Sequence, residues 1–203
     1  MYNLTMVYVY MQNVRLIDIT SDFYAFSHNI NNYTEIIISA HGFQNQIKRN
    51  GEFIDAFQLA ELIKSWDVPC SRIIVACCFS VYLRPEELIT RLSYGFTALS
   101  IYKSTLACML SDYIHGVSIV GFIGEVTSSV DNPQAWDLYE TIDPEFGRGL
   151  LERTLSATFT IRFNAAVTVG INNPCRYIEF FNGGVCQQYG PEVNINNRIL
   201  TAL

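Results

Sequence analysis

The sequence predicts an α/β domain with a mostly parallel sheet and a β-rich C-terminal extension. Two β-branched runs, Glu35-Ile36-Ile37-Ile38-Ser39-Ala40 and Arg72-Ile73-Ile74-Val75-Ala76, read as buried strands. Between them lies Phe53 to Trp66, where Phe53, Ala56, Phe57, Ala60, Ile63 and Trp66 recur at the spacing of one helix face. Strand, helix, strand is a βαβ unit, so the two strands are expected side by side, parallel, with matching ends. Nothing in the 203 residues reads as an internal repeat or a Pro/Gly/Ser linker. A single domain is expected, with 1–127 as the α/β core and 128–203 as an extension of it.

Along the chain, Met6 to Tyr10 reads as a first strand, and Thr20 to Asn29 as a short helix capped by Thr20 or Ser21. The βαβ unit follows, its helix ended by Trp66-Asp67-Val68-Pro69, because the residue before proline leaves the helical region. Pro85 to Leu92 opens like a helix, with Glu86 and Glu87 at the positive dipole end. Ser104 to Ile114 is a second helix, capped by Ser104 and stopped by Gly116, and Val117 to Ile123 is the fourth strand. Ser128 to Glu145 reads as a long polar loop and Gly147 to Leu155 as a short helix. Thr158 to Phe163, Ala165 to Ile171 and Arg176 to Phe181 read as strands, the last turning through Asn182-Gly183-Gly184 into Val185 to Tyr189.

Half of the residues are hydrophobic and 16% charged, a globular composition, and 13 basic against 19 acidic residues give a net charge of -6. No Lys/Arg stripe is present, which argues against nucleic acid or an anionic membrane as partner. No apolar run approaches the ~20 residues of a membrane helix, and the N-terminus lacks the pattern of a signal peptide. The six cysteines (70, 77, 78, 108, 175 and 186) show no CxxC spacing, so no metal is expected. Pairing outward from the hairpin turn sets Cys186 opposite Phe180 rather than Cys175, which disfavours a disulfide, and reduced thiols in the cytoplasm are the expectation.

Candidate chemistry sits at the carboxyl ends of the two strands, where α/β sheets bind ligands. His41-Gly42 follows the first strand, and Cys77-Cys78-Phe79-Ser80 follows the second. An imidazole beside a thiol can take its proton and leave a nucleophilic thiolate. Backbone N–H groups of Gly42 and of the cysteine, beyond the strand ladder, can hold the oxyanion that forms. Glu125 and Asp131, after the fourth strand, are candidate substrate-binding carboxylates, which would select a basic group. His28 and His115 read as surface residues, Cys70 and Cys108 as core packing, and Lys48-Arg49 as an exposed loop. No GxSxG, GxGxxG or Walker-type loop is present.

These residues resemble a family. An apolar run ending Ser39-Ala40-His41-Gly42, a helix, then an apolar run ending Ala76-Cys77 resembles the caspase-like (clan CD) cysteine peptidases, closest in pattern to bacterial CHAT and toxin-autoprocessing domains. The resemblance covers Glu35 to Glu125. It implies a caspase-like three-layer αβα fold and a cysteine endopeptidase with a His41–Cys dyad, a protein or peptide substrate, and no cofactor. Pairing with Ala76 favours Cys77 as nucleophile, whereas the Cys-x-Ser spacing of CHAT domains selects Cys78 with Ser80. Successive side chains of an extended chain point opposite ways, so only one of the two faces His41. The Gln-Ala-Cys-Arg-Gly signature of true caspases is absent, and aspartate specificity is not implied. The competing expectations are a caspase-like module without catalysis, and a flavodoxin-like domain binding a small ligand in the same crevice.

Overall fold

The computed structural model describes residues 5–8, 13–30, 33–43, 45–82, 90, 94, 102–128, 144–158, 160–164 and 177–189. In chain order they form β1 (Thr5–Tyr8), β2 (Arg15–Ile19), β3 (Phe23–Ile30), β4 (Tyr33–Ala40), β5 (Gly42–Phe43), β6 (Gln46–Arg49) and β7 (Glu52–Ile54). Next come α1 (Ala56–Ser65), β8 (Arg72–Ala76), α2 (Leu106–Tyr113), β9 (Ser118–Phe122) and β10 (Glu125–Ser128). The last are α3 (Pro144–Thr158), β11 (Thr160–Asn164), β12 (Tyr177–Phe181) and β13 (Gly184–Tyr189).

The frame is a seven-stranded sheet in the order β13-β12-β9-β8-β4-β3-β2. Its middle is the expected unit, with β4 parallel to β8 in the register Glu35↔Arg72 to Ser39↔Ala76, and β9 parallel to β8 on the far side. The mostly parallel sheet, however, is corrected: β2–β3, β3–β4, β9–β12 and β12–β13 all pair antiparallel. The reason lies in the connections. Only two or three residues separate β2 from β3, β3 from β4 and β12 from β13, too few for anything but a reversal of the chain, whereas the parallel pairs need crossovers. A flavodoxin-like sheet, all parallel, does not fit this order.

Of Thr20–Asn29, read from sequence as a helix, the part from Phe23 on belongs to strand β3 and the first three residues form the β2–β3 turn. Its residues alternate between two buried faces (Phe23, Ala25 and Ser27 against Tyr24, Phe26 and His28), so no helical stripe exists, and pairing with β4 along its length overrides local propensity. Thr20 does not cap a helix: its hydroxyl donates to Asp22 across the β2–β3 turn at 3.0 Å. Strand β2 has no counterpart in the sequence reading, and the first strand, Thr5–Tyr8, pairs with β11 in a separate three-stranded sheet, β1-β11-β10. The tail is split accordingly, with β12 and β13 extending the main sheet. The Pro85–Leu92 helix (apart from Thr90), the Ala165–Ile171 strand, Cys175 and Asp131 lie outside the described residues.

The crossover helix begins three residues later than its apolar pattern, because Glu52–Ile54 is drawn into strand pairing with β6. Asp55 then caps it: its Oδ1 accepts from Gln58 N at 2.9 Å and Gln58 Oε1 accepts from Asp55 N at 3.0 Å. Such a reciprocal cap stabilises a helix by about 1 kcal/mol. Helix α2 starts one residue after Thr105, not from a Ser104 cap, and the Thr105 hydroxyl donates to Tyr102 O at 2.8 Å. Both helices pack on one face of the sheet, where Ile36, Ile38, Ile73, Val75, Ile119 and Phe180 meet Leu59, Ala60, Ile63, Leu106 and Leu110. At the sheet edge, α3 covers β2 with side chains in place of a strand. Glu152 accepts from Leu16 N at 2.8 Å and Arg148 donates to Leu16 O. No described helix is long and apolar enough to cross a membrane.

The sheet β5-β6-β7 is fastened to the β2–β3 turn through Asp22 and Asp18. Asp22 accepts from Asn50 N at 2.7 Å, from Gly51 N at 2.8 Å and from Thr20, with Lys48 Nζ at 3.7 Å; Arg49 forks onto Asp18 at 3.0 Å. Lys48 and Arg49, read from sequence as an exposed loop, are therefore strand residues engaged in ion pairs. Burial acts to raise the Asp22 pKa, but the Gly51 N–H, the Thr20 hydroxyl, the Asn50 N–H and Lys48 outweigh it and hold it below the usual carboxylate value. A depressed folded pKa contributes stability above the unfolded pKa of about 4 that is lost as pH falls through the folded value. Asp22→Asn should therefore lower stability at pH 7 more than at pH 3, measured by urea denaturation at both.

Candidate active site

The site is built where β4 and β8 end. They are adjacent, parallel and level at Ser39↔Ala76, so His41 and Cys78 each lie two residues beyond the last pair. The chain after β8 does not continue straight. Cys77 N donates back to Val75 O at 2.9 Å, Phe79 takes a left-handed φ of 58°, and Phe79 N donates to Gly124 O at 2.8 Å. A bulky residue at positive φ costs on the order of 1–3 kcal/mol and persists where surrounding structure holds it. Ser80, fully buried, is one of the holders: its Oγ donates to Val75 O at 3.2 Å and accepts from Phe122 N at 2.8 Å.

Gly42 touches the doublet. A Cβ built there would stand 2.1 Å from Cys78 O and 3.0 Å from Cys77 Sγ, so the two chain segments approach as closely as glycine permits. Gly42→Ala is expected to push them apart and cost roughly 1–3 kcal/mol of stability, the penalty of overpacking, which thermal unfolding reads. The Gly42 amide also has a definite direction. Lys48 N donates to His41 O at 2.7 Å, which makes 41 and 48 a hydrogen-bonded pair. Ladder alternation then makes Gly42↔Ile47 a non-bonded pair, with the Gly42 N–H turned away from β6.

The two cysteines have different surroundings. Cys77 is 0% exposed and belongs to the core cluster beneath α1 and α2. Burial pushes its thiol pKa far up, the neighbouring Cys78 adds to the rise, and the Ser80 contact opposes it. Cys78 is half-buried, and its sulfur sits in a backbone slot on β10: it donates to Val126 O at 3.2 Å and accepts from Val126 N at 3.3 Å. His41 is exposed at the end of β4. Glu125, also exposed, precedes Val126 and so stands beside the Cys78 slot. Sequence reasoning missed Val126, because a backbone contact leaves no residue-type signal. It also missed Asn45, whose amide donates to Tyr82 O at 3.2 Å and accepts from Leu106 N at 3.3 Å, tying the β5–β6 turn to the Cys turn and α2.

His28 is not on the surface. It is 1% exposed on β3, and its Nε2 lies 3.1 Å from Glu35 Oε2, with Nδ1 buried and unpartnered. Arg72 bridges Glu35 at 2.8 Å and Glu179 at 3.3 Å, and Ser118 donates to Glu179. Burial acts to lower the Arg72 pKa, but the two carboxylates outweigh it and raise it. This row crosses the sheet at the amino ends of β4 and β8, opposite the His41 end, so it supports the frame rather than the candidate chemistry. His115 is exposed, Cys70 half-buried and Cys108 buried. Cys186, expected opposite Phe180, sits instead in a bulge, with Val185 opposite Phe180. Among the described residues no group of three or more His, Cys, Asp or Glu could hold a metal ion. Comparisons with protein-family models, with curated proteins and with solved structures find no match.

Proposed function

We infer that the chain is a cysteine endopeptidase of caspase-like, three-layer architecture, acting on protein or peptide in the cytoplasm, with Cys78 as nucleophile and His41 as its acid–base partner. The observation that carries this reading is the meeting of two matched strand ends, with Gly42 packed directly on the Cys77-Cys78 backbone. Exposure favours Cys78 over the Cys77 that the Ala-Cys pairing suggests, since a fully buried sulfur cannot meet a peptide carbonyl. In the cycle, His41 takes the Cys78 proton and the thiolate adds to the scissile carbonyl. The Gly42 N–H, directed off the strand ladder, donates to the oxyanion. His41 then protonates the leaving amine, and water, activated by His41, hydrolyses the acyl-thioester. Glu125 would favour Lys or Arg before the cut, and Asp131, outside the described residues, is the second candidate for that role.

One contact favours the competing reading of a non-catalytic binding module: the Cys78 S–H is engaged with the Val126 carbonyl, a contact made by the thiol and not by the thiolate. Incubating the protein with a random peptide library separates the two. The peptidase reading expects discrete new termini that vanish in His41→Ala, and a Lys or Arg preference before the cut. Absence of cleavage beyond that of Cys78→Ala supports the module, and Leu or Asp before the cut removes the Glu125 assignment.

A further inference from the structure

We propose that Phe43 and Phe53 form a subsite for a bulky apolar side chain on the leaving-group side of the scissile bond, an inference that rests on the peptidase reading above. The register of the β5-β6-β7 sheet divides its residues between two faces. Gly42, Ile47 and Ile54 share the inner face, with Ile47 fully buried and Gly42 against the cysteines. Phe43, Gln46, Lys48 and Phe53 share the outer face, because directly opposed residues point the same way. There the rings of Phe43 and Phe53 lie 6.2 Å apart at 51°, and the two residues remain 53% and 45% exposed. Paired exposed aromatics two residues beyond a candidate catalytic histidine are an apolar surface in need of an occupant. Their platform is firm: Asn45 ties the small sheet to the Cys turn and α2, and the Asp22 hydrogen bonds and the Arg49–Asp18 fork tie it to β2 and the β2–β3 turn.

The chemistry selects the occupant. A peptide lying extended along the outer edge of β5 meets the Gly42 N–H that the ladder leaves pointing that way, as in strand addition. Its side chains alternate, so if the reacting residue faces the cysteines beneath Gly42, the next one projects onto the face that carries Phe43. His41 must deliver a proton to the departing amine, which places the leaving chain on its side of the site, and β5 is the chain that continues from His41. The ligand class is therefore a peptide with Phe, Tyr, Trp, Leu or Met within the first two residues after the cut.

The test uses the full chain and paired peptides that differ only in Phe or Ala at those positions. The expected result is a roughly 10- to 100-fold higher kcat/KM for the Phe peptides, collapsing towards unity in Phe43→Ser and Phe53→Ser. Phe57→Ser, equally exposed but on α1, should retain the ratio. A ratio near unity in the wild type, or one that survives both substitutions, overturns the subsite while leaving the peptidase reading intact. If no peptide is cleaved, the peptidase reading fails instead. Fluorescence anisotropy of the labelled peptides on the Cys78→Ala protein then decides the subsite separately: Phe43-dependent preference for the Phe peptides supports it, and its absence overturns it.

Discussion

Cys78→Ala is expected to lower peptide hydrolysis by roughly ten-thousand-fold or more, the scale of loss when a covalent nucleophile is removed. Cys77→Ala should leave cleavage within about tenfold of wild type and instead cost about 1 kcal/mol of stability, as a small core truncation does. The asymmetry follows from burial. Cys77 fills a place among α1, α2 and the sheet, whereas Cys78 is half-exposed, with its sulfur against the backbone of Val126 on β10. Steady-state kinetics with the best library peptide, alongside urea denaturation, reads both effects. Loss of activity in Cys77→Ala with retention in Cys78→Ala would reverse the assignment.

Arg72→Met should destabilise the protein strongly, by about 3–5 kcal/mol. The guanidinium stands between Glu35, 0% exposed, and Glu179, 5% exposed, and methionine fills its stem volume without its charge. Two buried carboxylates then lose their countercharge in a medium that screens poorly. Glu35→Gln should cost less, because it keeps the shape and leaves Arg72 paired with Glu179. Urea denaturation at pH 7 compares the two. Because the row lies at the amino ends of the strands, thiol labelling at Cys78 in the Glu35→Gln protein should stay within about twofold of wild type under native conditions. A Glu35→Gln protein as unstable as Arg72→Met would show that the bridge is not what Arg72 supplies.

The parts of the fold written in local pattern were legible. Unbroken β-branched runs marked β4 and β8, helical spacing marked α1 and α2, and Asn182-Gly183 marked the hairpin, where both residues take the positive φ (47° and 74°) such a turn demands. What was hidden depends on partners distant in sequence. Phe23 to His28 is buried on both faces, so it carries neither the alternation of a half-exposed strand nor a helical stripe, and Thr20-Ser21 in front of it imitates a cap. His28 gave no sign of burial because its partner Glu35 lies on the neighbouring strand and Arg72 joins the row through Glu35. A signal did exist: an acid opens the Ile36-Ile37-Ile38 run and a base opens the Ile73-Ile74-Val75 run, and parallel pairing sets the two charges side by side. For the site, the strand ends and Gly42 were readable. Alternation also implied that the two cysteines face different ways, but which one is covered was decided by α1 and α2 packing over the Cys77 face.

The most direct measurement is mass-spectrometric mapping of the thiols labelled by an acyloxymethyl-ketone peptide probe, in wild type and in His41→Ala. Cys70 and Cys108, their thiols pushed up to about 11, are protonated at pH 7.5, and the exposed Cys186, remote from the site on β13, serves as the internal standard. The account predicts fast labelling confined to Cys78 and slowed by roughly a hundredfold or more in His41→Ala, while Cys186 is unaffected. Labelling of Cys78 no faster than Cys186, or undiminished without the His41 imidazole, would contradict it.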